Sequence, residues 1–114
     1  MIEPRLASGV QVSAFIRLAQ AEGDFAMVLR KGDPVAGAII LIGLVRGQNP
    51  VIYERFPSTD GGSPWQRADS KTSENEDDIA ALWKKRAERD PDLWVIELDV
   101  ASPERLSRLL GTLS

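Results

Sequence analysis

Between Ala36 and Val45 the chain is apolar at nearly every position, interrupted only by two glycines. In extended conformation Ile40, Ile42 and Leu44 point one way, and Ile39, Leu41 and Val45 the other. Apolarity on both faces calls for cover above and below, so a strand over 36–46 is expected at the centre of a sheet. The stretch from Leu93 to Val100 has the same character, with Leu93 and Val95 on one face and Trp94, Ile96 and Leu98 on the other. Phe25 to Lys31 and Val51 to Phe56 read as two further strands. The turns Gly32-Asp33-Pro34 and Gly47-Gln48-Asn49-Pro50 link the first three strands closely, which predicts an antiparallel meander.

Three helices complete the pattern. Ser8-Gly9-Val10-Gln11 has the form of a capping box, and Val12, Phe15, Ile16 and Ala19 follow as one apolar stripe that ends at Gly23. Ser73-Glu74-Asn75-Glu76 is a second capping box. Behind it Ile79, Leu82 and Trp83 share a face, and Asp90-Pro91 stops the helix, since proline disfavours a helical residue before it. Ser102-Pro103-Glu104 opens the third helix with proline at its first position, and Leu106, Leu109, Leu110 and Leu113 form its stripe. A crossover from the third strand through the second helix to the fourth strand is expected to be right-handed if those strands run parallel. The expected fold class is α/β: a three-layer α/β/α domain with a small mixed sheet, in the order α-β-β-β-α-β-α.

At 114 residues the chain is expected to form a single domain over 1–114, burying roughly 65% of its unfolded surface. The segment 57–72, rich in Ser, Gly, Asp and Pro, stands apart as a mobile loop within it. Trp65 is expected to dock onto the core, with Pro64 to Ala68 as a candidate edge strand and a ligand-covering lid as the alternative.

Composition narrows the chemistry. There is no histidine and no cysteine. Ser–His and Cys–His catalysis within one chain are thereby excluded, as are zinc sites built from imidazole or thiolate. A net charge of −3 argues against broad binding to nucleic acid or to anionic membranes. The stretch from Ala36 to Val45 is about half the ~20 residues that a membrane span needs. The opening residues lack the form of a secretory signal, and a cytoplasmic location is expected.

Several residue groups are candidates for function. Gly32 to Gly37 has the glycine spacing of a phosphate loop, but Ala38 and Ile39 follow where Lys and Ser/Thr would be needed, and they open a strand. A tight turn accounts for those glycines. Glu97 and Asp99 share a face near the carboxyl end of the fourth strand, where open α/β sheets often bind ligands. With Asp33 and Glu54 they form a candidate all-oxygen site for Mg²⁺ or Mn²⁺, with Lys31 or Arg55 available to stabilise a phosphoryl transition state. The competing reading places the two acids ahead of the third helix for its dipole. The acidic start and basic end of the second helix, with Lys84, Lys85, Arg86 and Arg89, match its own dipole on a solvated face. Lys31, Asp33, Arg46, Arg55 and Trp65 are candidate ligand contacts. Arg46 and Arg55 flank one turn and are expected to face each other across a hairpin.

Pro4-Arg5-Leu6, Lys31-Gly32-Asp33 with Ala36-Gly37, Trp65, and Asp90-Pro91-Asp92-Leu93-Trp94-Val95-Ile96-Glu97 together resemble one family. It is the domain-of-unknown-function family numbered 1491, small alphaproteobacterial proteins of about this length. The last run is the most specific. The resemblance implies a bacterial cytoplasmic setting and supplies no catalytic residue.

The leading expectation is a non-enzymatic interaction or regulatory module that binds a protein partner or itself, through strand pairing or the third helix, with no cofactor. The alternatives are a divalent-metal-dependent phosphodiesterase or nuclease, and a small phosphate- or anion-binding protein.

Overall fold

The computed structural model describes residues 7–55, 64–68 and 76–112. Its elements run α1 (Ser8–Ala21), β1 (Phe25–Arg30), β2 (Ile39–Val45), β3 (Gln48–Arg55), β4 (Trp65–Arg67), α2 (Glu76–Arg89), β5 (Trp94–Val100) and α3 (Pro103–Thr112). Leu6 and its neighbours, most of the 57–72 segment, Ser73 to Asn75 and Leu113 lie outside the described residues.

The five strands form one mixed sheet in the order β1-β5-β2-β3-β4. β2 occupies the centre, with β5 parallel to it on one side and β3 antiparallel on the other. Both of its faces are buried. Ile40, Ile42 and Leu44 join Leu93, Val95, Ile52 and Ile79 in a core on the α2 side. Leu41 joins Trp94, Ile96 and Leu98 with Val12, Phe15, Ala19, Leu106, Leu109 and Leu110 on the side of α1 and α3. The sheet is thus sandwiched as its apolar pattern requires.

The expected meander of the first three strands does not form. β5 inserts between β1 and β2, and β1 pairs antiparallel with β5. Burial accounts for the exchange: β2 and β5 are the strands apolar on both faces, so they lie side by side in the interior. β1 carries Phe25 and Met27 at 75% and 56% exposure and takes the margin. β5 is consequently parallel to β2 and antiparallel to β3. The short strand at Trp65 lengthens the order to α-β-β-β-β-α-β-α.

The helix ends follow local chemistry in two cases. Gly23, at φ +82°, closes α1 through backbone bonds to the turn before it. Ser102 caps α3, accepting the Arg105 amide on its hydroxyl at 3.2 Å. α2 ends at Arg89, just ahead of Asp90-Pro91. Its inner face carries Ile79, Trp83 and Ala87, whereas Leu82 is exposed rather than part of that face.

The capping box expected at Ser8 is absent. α1 has Ala7 at its N-cap position without a side-chain cap. The Ser8 and Gly9 amides instead donate to the carbonyls of Val35 and Pro34, at 3.1 and 2.9 Å, and the Ser8 hydroxyl donates to the Gly37 carbonyl at 2.6 Å. The helix docks end-on against the 33–37 loop, which supplies the acceptors that its first turn lacks internally.

That loop is also wrapped against the start of β5. The Asp33 amide donates to the Asp92 carbonyl at 3.0 Å, the Trp94 amide to the Ala38 carbonyl at 2.8 Å, and the Trp94 indole N–H to the Asp33 carbonyl at 2.7 Å. The Asp33 carboxylate accepts the Val35 and Ala36 amides and holds the turn. A Cβ at Gly32 or Gly37 would lie 2.2 or 2.1 Å from the Asp92 oxygen. The two glycines of the phosphate-loop-like spacing therefore serve backbone contact.

The Arg46–Gly47 turn, with φ of +53° and +72°, joins β2 to β3. Two central residues at positive φ suit the right-handed twist of the flanking strands. At the same end of the sheet, where Phe25 is in register with Asp99, Asp24 is buried and pairs with Arg105 at 3.1 Å, while Glu22 pairs with Arg105 and Arg108. This network ties the end of α1 to α3.

Two outcomes follow from this packing. Gly37→Ala is expected to lose about 1–3 kcal/mol in urea denaturation, because backbone on both sides resists the added methyl. Gly111→Ala, where nothing lies within 4 Å of the new carbon, is expected to be neutral or slightly stabilising; equal losses would show that the loop–β5 contact carries no weight. Tyr53, the chain's single tyrosine, has its phenol pushed above the ordinary 10.0 by burial, with Arg67 pulling it down. A raised folded-state value means that folding holds the phenolic proton. Its stabilising contribution is complete below about pH 10 and is lost as pH rises through the folded-state value. Tyr53→Phe should flatten this part of the alkaline stability loss, read by denaturation at stepped pH and by phenolate absorbance.

Candidate functional site

A cleft of about 490 Å³ opens at the amino end of β2. Its floor and walls come from five places in the sequence. α1 contributes Ser8 and Gln11, the 35–38 loop contributes backbone, β2 contributes Ile39, β3 contributes Glu54 and Arg55, and α2 contributes Arg86. Parity along β3 separates its two charged residues. Glu54 lies on the α2 side and forms an ion pair with Arg86. Arg55 lies on the α1 side, where its guanidinium donates to Gln11 Oε1 at 2.8 Å and stands 6.0 Å from the Trp65 ring centre.

Trp65 is itself buried at 5% exposure and meets Phe15 edge-to-face, with ring centres 5.6 Å apart and planes at 82°. The sequence Phe15, Trp65, Arg55, Gln11 thus fastens β4 and β3 to α1. Ser8 and Gln11 are two of the three buried polar residues among those described, and both line this one cleft. Burying such groups is tolerated only with partners, which Gly37 and Arg55 provide.

The structure disperses the four carboxylates of the candidate metal site. Asp33 lies beside Asp92, ahead of β5, whereas Asp99 is near its other end, about 20 Å along a seven-residue strand. Asp99 accepts the Gly47 amide at 2.9 Å and so braces the β2–β3 turn. Glu54 pairs with Arg86 at the amino end of β2. Glu97 borders a separate groove of about 220 Å³ beneath α2, with Asp77, Trp83 and Lys84. Among the described residues no three acids gather to hold a metal ion.

The candidate ligand contacts divide in the same way. Arg55 and Trp65 meet beside the cleft. Asp33 shapes the loop that forms one wall, and Lys31 is exposed just after β1. Arg46 does not face Arg55 across a hairpin. It sits in the β2–β3 turn, its Nε donating to the Ala101 carbonyl, while Arg55 is at the far end of β3, about 25 Å away by strand length. The cleft opens at the end of the sheet opposite to Glu97 and Asp99, where the strand-end rule had pointed.

Three cleft residues escaped the sequence reading. Ser8 and Gln11 read as a capping box, and Arg86 as part of a solvated basic face. Gln11 carried a usable signal: it lies four residues before Phe15 on the buried stripe of α1, where a polar side chain needs a partner.

These features define a small three-layer α/β domain with a mixed sheet, a polar cleft at one sheet end and β1 as a margin strand among the described residues. The chain belongs to the family described as "Protein of unknown function (DUF1491)", whose profile matches residues 6–108. It is similar to a DUF1491 family protein from Caulobacter crescentus. The crystal structure of that protein shows 31% identity over 82% of this chain and 86% of that one, at a TM-score of 0.69. An NMR structure of a DUF1491 family protein from Caulobacter crescentus shows 32% identity over 88% and 90%, at 0.72. The solution structure of an A. tumefaciens protein shows 30% identity over 91% and 93%, at 0.70. No curated protein matches the chain. No helix among the described residues is long and apolar enough to cross a membrane.

Proposed function

We propose that this protein is a non-enzymatic interaction module that engages another polypeptide by strand addition along β1. The observation that carries this reading is the state of that margin. β1 ends the sheet order, and Phe25, Met27 and Val28 are exposed along it at 75%, 56% and 37%. An end strand presents a row of backbone donors and acceptors, and natural proteins usually blunt it with Lys, Pro or a covering segment. Phe25 to Leu29 contains neither Lys nor Pro. The register shift that β1 does contain falls between Val28 and Arg30, so Phe25 to Val28 is regularly paired on its inner side. Strand addition uses such a backbone row for affinity and the exposed alternate side chains for selectivity.

A photo-crosslinking amino acid at Met27, in cells making the full chain, tests the reading. A discrete adduct is expected, with mass spectrometry placing the second peptide against β1. The same probe at Gln20, exposed on α1, should give none. Absence of an adduct from both Phe25 and Met27 would end this reading.

The cleft favours a second one, a site for a small anion. Arg55 and Arg86 both stand on its wall, and an anion there would draw Arg86 away from Glu54. Inorganic phosphate should then raise the melting temperature in a dose-dependent way, and Arg86→Ala should abolish the rise. No rise at millimolar phosphate would dismiss it.

A further inference from the structure

We infer that the polypeptide added at β1 is a second copy of this chain, paired antiparallel with it about a two-fold axis through Met27. The inference rests on the reading of β1 as a docking margin and identifies the occupant.

Self-pairing across an antiparallel two-fold demands that a strand complement its own reverse. Around Met27 this strand does so. The axis sets Met27 beside Met27 of the second copy, Phe25 beside its Leu29, and Ala26 beside its Val28. Side chains directly opposite in an antiparallel pair lie on one face of the sheet. Phe25, Met27 and Leu29 meet that condition, since Phe25 and Met27 are in register with Asp99 and Glu97 and Leu29 packs on the α2-side core. Ala26 packs on the opposite core, with α1 and α3.

Charge favours the reversed order. Asp24 is buried against Arg105 and takes no part. Arg30 closes the strand and Lys31 follows it. In the antiparallel pair these bases of the two copies lie at opposite ends, whereas a parallel arrangement would set them side by side, which is unfavourable.

The faces permit the approach. α2 packs over β3, on the far side of the central strand from β1. The exposed Phe25 and Met27 therefore lie on a part of the sheet that α2 leaves open, beside the groove lined by Leu29, Ile42, Leu44 and Trp83. Pairing would continue the sheet from one copy into the next and give each exposed apolar side chain of this face an apolar neighbour.

A charge exchange at the axis provides the test. Met27 is exposed in the single chain, so Met27→Lys and Met27→Glu leave the core intact. In the paired form each variant places two like charges side by side. The purified wild-type chain should be a dimer by light scattering at micromolar concentration. Each variant alone should dissociate at least ten-fold more readily, and an equimolar mixture should regain the dimer. The mixture also controls for Glu97, the cross-strand neighbour of Met27, which would favour lysine over glutamate within one chain. A wild-type monomer up to millimolar concentration would overturn the inference, as would a dimer indifferent to both variants. If the Met27 crosslinker still captures a different polypeptide at β1, only the identity of the occupant falls. If it captures nothing, the docking margin falls with it.

Discussion

The close contact between the 32–37 loop and the start of β5 is the constraint on which the rest of the fold depends. Within a few residues it joins the exit of β1, the entry of β2, the first turn of α1 and the first residues of β5. A buried indole N–H needs an acceptor, and the Asp33 carbonyl is placed to take it only because two glycines let the loop lie flat on Asp92 and Trp94. Each bond is worth on the order of 1 kcal/mol, but removing one strands a desolvated partner, so the set acts as a unit. The motifs at Lys31-Gly32-Asp33, Ala36-Gly37 and Asp92-Leu93-Trp94 are thus halves of one contact, far apart in the chain and adjacent in space.

That contact also sets the sheet order. With the start of β5 held against the loop between β1 and β2, β5 has one place to go, between those two strands. Its two apolar faces then complete both cores at once. The cost is a margin strand whose outer side has no neighbour among the described residues. The Asp24–Arg105 pair, just ahead of β1, fastens α1 to α3, so the helical layer is closed while β1 has no strand beyond it among the described residues.

Much of the architecture was legible in the chain. Double-sided apolarity placed β2 in the interior and gave β5 its two faces, since continuous hydrophobicity has few other solutions in a small domain. Ser102-Pro103 marked the start of α3, because a cap and its proline act within one turn. Strand order was not legible, for it depends on which strands bury most, a comparison across the whole chain that short connections disguised. The Ser8 motif misled for a related reason: its hydroxyl found a tertiary acceptor in Gly37, and a distant carbonyl replaced the local cap. Among the candidate site residues, Arg55 and Trp65 do meet. The carboxylates separate because residues two apart share a face without sharing a neighbourhood, and Asp33 and Asp99 serve turns at opposite ends of β5. Arg86 comes to the cleft only through packing of α2 over β3.

The position of β5 between two strands synthesised long before it has a consequence for biogenesis. As the nascent chain emerges, β1 and β2 appear early but have no common neighbour, and one flank of the most apolar strand stays bare. A hairpin with β3 leaves it uncovered, because the missing piece, β5, is synthesised only after β1 to β4. Docking of that strand closes contacts of long sequence separation in a single step, which makes acquisition of the sheet late and cooperative rather than progressive. Until then the flank of β2 is a natural place for a chaperone to hold the chain.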